Sequence, residues 1–225
     1  MNSPIILALD GVPYERAIEL ARRLSGLVWG FKVNDLFVGC GPSIANELLQ
    51  WGNVMLDLKV YDIPNTAANI GKKIATNMPG VQIVTAHAHG GSEMLKALSK
   101  ELPGKVAAVT VLTSFSEEQY QSLTATKRNI KEQVELLAAI SFGCDCGYVV
   151  CSGQELETLK HGGNGCKFII PGIRPKWHMK PDDQKRTMTP KEAIQSGASL
   201  LVIGRPILEA ENPEKAAQLT NEEIA

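Results

Sequence analysis

The sequence predicts an α/β protein, a (β/α)8 (TIM) barrel forming a single domain over residues 1–225. Three observations predict it. Apolar runs of strand length alternate with helix-patterned segments eight times along the chain. The runs are mostly continuous rather than alternating, which suits strands buried on both faces of a parallel sheet. Nearly every run ends in a polar or charged residue, as expected where an active site lies at the C-terminal ends of barrel strands. A doubly wound open sheet is the alternative; it usually has fewer strands, and no GxGxxG follows the first run.

The elements are expected in this order. Residues 4–10 form the first strand, ending in Asp10. A helix over 13–24 follows, because Ala17, Leu20, Ala21 and Leu24 share one face and Pro13 suits a helix start. Residues 28–33 form a strand ending in Lys32, and 41–51 a helix. The strand 53–60 leads into a helix over 63–78, in which Pro64 sets the start. Strands at 81–88 and 105–113 flank a helix at 91–102, and 114–128 reads as a polar connection. A helix at 129–143, a strand at 146–152, a short helix at 153–161 and a strand at 166–172 come next. A polar loop runs from Ile173 to about Met188, with Lys176, Lys180, Asp182, Asp183 and Gln184 placed to cover a ligand. Thr-Pro and Gly bound a helix at 189–197, and 198–204 is the eighth strand, followed by helical residues to the end.

Composition excludes several classes. With 23 basic and 24 acidic residues the net charge is −1, which favours neither nucleic acid nor a membrane surface as partner. No apolar run approaches the roughly 18 residues of a spanning helix. The N-terminus lacks the basic and apolar regions of a signal peptide, and five cysteines in a chain of this size read as reduced thiols; a cytoplasmic location is expected. Cys144 and Cys146 form CxC, not the CxxC of zinc sites, and are expected to pack in the core.

The stretch 55–66, MLDLKVYDIPNT, concentrates the chemistry. Strand alternation points Asp57 and Lys59 the same way, with Leu56, Leu58 and Val60 opposite. Two charges on one face of a buried strand are expensive unless they meet each other or a ligand. By spacing alone Asp62 belongs beside them. The other strand ends offer His87 and His89, Thr113 and Ser114, Cys151 and Ser152, Arg174, and Gly204 with Arg205. The loops after strands 7 and 8 hold a phosphate in many barrels. Here they carry Arg174 and Gly204-Arg205-Pro206, which offer forked hydrogen bonds and backbone amides at a helix start; the bland alternative is two solvated loop arginines. His87 and His89 have the spacing to bind a metal together. The charged triplet that would complete the set contains a lysine, so no metal is expected and both histidines are assigned to the core or to lining the site.

These residues resemble the orotidine 5′-monophosphate decarboxylase family, most closely its bacterial form. DLKVYDIPNT (57–66) resembles its signature, and ILALD (6–10), FKV (31–33), HAHGG (87–91), VTVLTS (109–114), PGIRP (171–175), DDQKRTMTP (182–190) and VIGRP (202–206) follow in the family's order over nearly the whole chain. A DxKxxD triplet alone also occurs in hexulose-phosphate synthases and keto-gulonate-phosphate decarboxylases; the IPNT, PGIRP and DDQ segments favour the orotidylate enzyme. The resemblance implies conversion of orotidine 5′-monophosphate to UMP, the last step of de novo pyrimidine nucleotide synthesis, with no cofactor and no metal. It implies a charged catalytic network of Lys32, Asp57, Lys59 and Asp62, in which Lys59 protonates pyrimidine C6 and Asp57 stresses the substrate carboxylate. Asp10 and Lys32 would hold the ribose and Thr113 the pyrimidine. Arg174, Gln184, Gly204 and Arg205 would hold the 5′-phosphate. Asp62, with Ile63 and Thr66, would reach the neighbouring subunit's site, which implies a homodimer. Asn34-Asp35 and His89 depart from the family's usual residues. The alternatives are a Mg-dependent sugar-phosphate decarboxylase or aldolase on the same barrel, and a non-catalytic nucleotide-phosphate binder.

Overall fold

A computed structural model of the chain describes residues 3–159, 162–163, 165–178 and 186–225. Eight parallel strands close into a barrel in sequence order. The first half runs β1 (Ile5–Ala8), α1 (Tyr14–Leu24), β2 (Gly30–Val33), α2 (Asp35–Cys40), α3 (Pro42–Leu48), β3 (Asn53–Val60), α4 (Pro64–Asn77), β4 (Ile83–His87) and α5 (Gly91–Glu101). The second half runs β5 (Val106–Val109), α6 (Glu117–Thr124), α7 (Ile130–Phe142), β6 (Tyr148–Val150), α8 (Leu156–Leu159), β7 (Lys167–Ile170), α9 (Pro190–Gln195), β8 (Leu200–Ile203), α10 (Arg205–Leu208) and α11 (Pro213–Ile224). Among the described residues no helix is long and apolar enough to cross a membrane.

Several expected elements are subdivided. The expected helix at 41–51 is α3 alone, and a separate α2 precedes it, because Gly41 sits between them at φ 65. The polar connection at 114–128 contains α6, started by a reciprocal cap between Ser116 and Gln119. That S-x-x-Q pattern was present in the sequence as a start signal. The expected helix at 153–161 is a 3-10 turn (Gly153–Glu155) followed by α8, with residues 160 and 161 outside the described set. The strand expected at 28–33 begins at Gly30, where a side chain would lie 2.1 Å from the Asn53 carbonyl oxygen.

The strands divide the interior into two layers. Inside the barrel, Ile6, Met55, Ile83, Ala107, Ile169 and Leu200 form an apolar plug. Their outward-facing neighbours, including Ile5, Leu7, Phe31, Val54, Leu56, Val84 and Leu201, pack against the helices in the larger core. Because the pleat has period two, the residue two places beyond each plug residue points into the barrel one layer higher. Those residues are Ala8, Asp57, Thr85, Val109, Pro171 and Val202, and all of them line a cavity at the C-terminal end of the barrel. The strand pattern therefore sets both the plug and the floor of the site.

Candidate active site

The cavity has a volume of about 490 Å³. It is lined by four cationic side chains, Lys32, Lys59, Arg174 and Arg205, and two anionic ones, Asp10 and Asp57. The remaining lining is largely apolar, so the field favours a ligand with net negative charge.

A row of alternating charge crosses from β1 to β3. Lys32 Nζ lies 2.8 Å from Asp10 Oδ1 and 3.1 Å from Asp57 Oδ2, and Lys59 Nζ lies 2.9 Å from the same Asp57 oxygen. The other Asp57 oxygen, Oδ1, accepts a hydrogen bond from the Thr85 hydroxyl at 2.9 Å. Lys32 and Asp57 are 6% and 8% exposed, so neither charge would survive burial alone. Burial pushes the Asp57 carboxyl up, but the Lys32 and Lys59 ammonium groups outweigh it and hold it below the usual carboxylate range. Burial likewise depresses Lys32, and Asp57 with Asp10 reverses the balance, leaving it above the usual lysine value. Asp57 is thus an anion and Lys32 a cation at neutral pH.

Asp57 and Lys59 face the same cavity, as alternation predicts, but β3 is not regular between them. Its register against β4 shifts between Leu56 and Val60, and Lys59 has φ 49. The left-handed region is rare for a residue with a side chain and carries strain of about 1–3 kcal/mol. The Lys59 amide donates to Thr85 Oγ1 at 2.8 Å.

Residue spacing placed Asp62 beside Lys59, and the structure does not. Asp62 is exposed, is absent from the cavity wall, and its Oδ1 accepts from the Ile63 amide at 2.7 Å. The chain has turned outward after Val60, and Tyr61 and Ile63 are each 66% exposed. Thr66 follows in the first turn of α4 and is partly buried.

On the other side of β1 from the charge row, Arg174 follows β7 and Arg205 begins α10 after β8, the strand that pairs with β1. Arg174 is 8% exposed; its Nη1 donates to the Ile173 carbonyl at 2.8 Å, and its amide donates to the Met188 carbonyl at 2.9 Å. Both arginines and Gly204 line the cavity, so these are not scattered loop residues. A Cβ on Gly204 would rest 3.5 Å from the Ala8 side chain, an ordinary contact, so packing does not demand glycine there. Thr113 and Ser114 complete the wall after β5. Gln184, with Lys180, Asp182 and Asp183, lies outside the described residues.

The histidines fall beside the cavity rather than in its wall. His87 stands edge-on to Tyr61, and burial, then the neighbouring His89 and Lys59, hold it below the usual histidine range. His89 is exposed, and its Nε2 meets the Tyr120 hydroxyl at 2.6 Å. Among the described residues no cluster of His, Cys, Asp or Glu has the arrangement to hold a metal. All five cysteines are free; burial pushes the Cys146 thiol up to about 12.

Sequence reasoning missed three groups near the site. Thr85 is one, and a lone threonine within an apolar strand gives no signal. Asn34, noted as a departure, donates from Nδ2 to the Asp57 carbonyl at 2.6 Å, and Asp35 accepts the Gly11 amide at 3.0 Å. The third is a buried ion pair between Arg186 and Glu155, with Arg186 Nη2 also donating to the Leu112 carbonyl at 3.3 Å. It ties the end of the loop after β7 to the segments that carry Cys151 and Thr113.

The chain matches the family model for orotidine 5′-phosphate decarboxylase / HUMPS over residues 3–219. It belongs to this family. An orotidine 5′-phosphate decarboxylase of Saccharophagus degradans is 40% identical, covering 100% of this chain and 98% of that protein. One of Syntrophomonas wolfei is 42% identical over 95% and 94%. Among solved structures, orotidine 5′-phosphate decarboxylase from Lactobacillus acidophilus superposes with a TM-score of 0.85 at 31% identity, covering 99% of each chain. Its curated relatives are orotidine 5′-phosphate decarboxylases, which makes the chain an enzyme of the carboxy-lyase class on a closed (β/α)8 barrel.

Proposed function

We propose that the cavity binds orotidine 5′-monophosphate and releases CO₂ to give UMP, the closing step of pyrimidine nucleotide synthesis, with no cofactor. The observation that carries this reading is the row Asp10–Lys32–Asp57–Lys59 along β1 to β3, with Arg174 and Arg205 in the segments that follow β7 and β8 on the same cavity wall. A ligand with a phosphate at one end and a carboxylate at the other matches that distribution.

Loss of CO₂ leaves an electron pair at pyrimidine C6. Asp57 is held ionised where the substrate carboxylate would sit, and two like charges about 4 Å apart repel by about 4 kcal/mol at an effective dielectric near 20. Departure of neutral CO₂ removes that repulsion. The Lys59 ammonium, beside Asp57, stabilises the growing charge and gives its proton to C6. Lys32 offsets Asp57 from the other side and, with Asp10, holds the ribose hydroxyls; Thr113 contacts the pyrimidine. Arg174, Arg205, the Gly204 backbone and Gln184 take the phosphate, whose binding energy is remote from C6 and orients the ring.

Asp62, Ile63 and Thr66 act in a neighbouring subunit's site in this reading. Supporting it, Asp62 is exposed and does not line its own cavity, and Tyr61 and Ile63 beside it present exposed apolar side chains. The chain is then a homodimer with two shared sites.

A Mg-dependent sugar-phosphate reaction is less compatible with the bonding of Asp57. Its Oδ2 already meets two ammonium groups and its Oδ1 the Thr85 hydroxyl, so a cation would have to displace a lysine or that hydroxyl. Mixing protein with orotidylate in the presence of EDTA and following the pyrimidine absorbance tests the proposal. Conversion to UMP is expected. A substrate spectrum that stays unchanged, or turnover that appears only when Mg²⁺ is restored, overturns it.

The phosphate assignment has its own test. Arg205→Ala should weaken binding of UMP by roughly 100-fold or more, as expected for loss of a charge-assisted contact, and leave binding of uridine nearly unchanged. Equal losses for nucleotide and nucleoside in a titration would move the phosphate elsewhere.

A further inference from the structure

We propose that Thr85, in the middle of β4, is the positioning residue that holds Asp57 and Lys59 together at the barrel mouth. β3 and β4 are in register at Leu56↔Val84 and again at Val60↔Ala86. Between those points β3 places Asp57, Leu58 and Lys59 against the single residue Thr85. Two extra residues preserve the alternation of faces, so both charged side chains still point inward. They also leave β3 amides without the ladder acceptors a regular parallel pair would supply.

The Thr85 hydroxyl fills that gap. It accepts the Lys59 amide at 2.8 Å and donates its own proton to Asp57 Oδ1 at 2.9 Å. A hydroxyl has one proton and two lone pairs, so it satisfies both partners at once. Thr85 is fully buried. One bond secures the left-handed backbone at Lys59, which an L-residue avoids unless its surroundings hold it there. The other fixes the carboxylate rotation, so that Oδ2 is the oxygen meeting both Lys32 and Lys59. Thr85 acts through those two residues and not on the substrate itself.

Valine at 85 keeps the shape and loses both bonds. The Lys59 amide and Asp57 Oδ1 are then buried without partners, and the chain relaxes toward a regular strand that carries the ammonium away from Asp57. Serine restores the hydroxyl without the methyl.

The inference rests on the proposed decarboxylation, and its test separates the two. Thr85→Val, Thr85→Ser and the parent protein are compared for orotidylate turnover, UMP affinity and thermal unfolding. The valine variant is expected to lose kcat by on the order of 100-fold, with UMP affinity held within about threefold because the phosphate ligands are untouched. The serine variant should recover to within about fivefold of the parent. If the valine variant does not fold, Thr85→Ala is put through the same comparison. A valine or alanine variant with parental kcat, or a serine variant as impaired as valine, overturns the assignment. If the parent itself does not turn over orotidylate, the proposed function fails and the geometry decides: a crystal structure of Thr85→Val should show Lys59 out of the left-handed region. Persistence of the positive φ and of the Lys59–Asp57 contact there would overturn the role of Thr85.

Discussion

Lys59→Ala should abolish measurable CO₂ release from orotidylate while UMP still binds. Lys59 is the partly exposed end of the charge row, its side chain 33% exposed and its Nζ 2.9 Å from Asp57. It is therefore the lysine of the row free to approach a ligand, whereas Lys32 is enclosed between two aspartates. Loss of a positioned general acid lowers rates by about 10²–10⁴, and loss of charge stabilisation at the reacting carbon adds to it. A fall in kcat of about 10⁴ or more is expected. UMP affinity should change far less, since the proposed phosphate ligands Arg174 and Arg205 lie after β7 and β8. Single-turnover measurement of CO₂ release with a parallel UMP titration separates the two effects. Near-parental turnover would remove Lys59 from the chemistry.

Asp57→Asn should produce a different signature. The amide keeps the size of the carboxylate and loses its charge, so the proposed repulsion of the substrate carboxylate would disappear. A repulsion of about 4 kcal/mol corresponds to roughly 10³ in rate if all of it is relieved in the transition state. The variant should lose kcat by up to that factor while orotidylate binds as tightly as before, or tighter. A fall in affinity matching the fall in rate would make Asp57 a simple binding residue. Stability should also respond. Lys32 would keep only Asp10 as a charged partner, and removing one member of a buried pair costs about 3–5 kcal/mol when no other partner remains, less here. The pH dependence follows from the directions of the shifts. Asp57 is held below its unfolded value, so its contribution is present above about pH 4 and is lost as pH falls through the folded value. Lys32 is held above its unfolded value, so its contribution is present below about pH 10 and fades as pH rises through the folded value. Urea denaturation across pH should show a weaker acid-side dependence in the asparagine variant than in the parent.

The barrel and the location of its mouth were legible because they depend on short-range pattern. Continuous apolar runs such as PIILALD and ASLLVIG specify doubly buried strands, and Pro64 and Thr189-Pro190 start the helices that return the chain. The period-two pleat then determined that Asp57 would stand one layer above Met55, facing inward. The resemblance of DLKVYDIPNT and its companion segments to a known family agreed with the family match.

Tertiary structure alone decided three things. Asp62 follows Lys59 by three positions, yet the two part company because the chain leaves the barrel after Val60 and carries Asp62 outward. Spacing along a chain measures distance only while the backbone stays regular. The bulge in β3 and its anchor Thr85 were invisible for a similar reason: a strand's register depends on its neighbour, and the acceptor for the Lys59 amide comes from a residue 26 positions away. The Arg186–Glu155 pair joins residues 31 positions apart that became partners only when the segment before α9 met the one after β6. Local pattern determined which side chains face inward; which of them meet, and what holds them there, was decided by packing between strands.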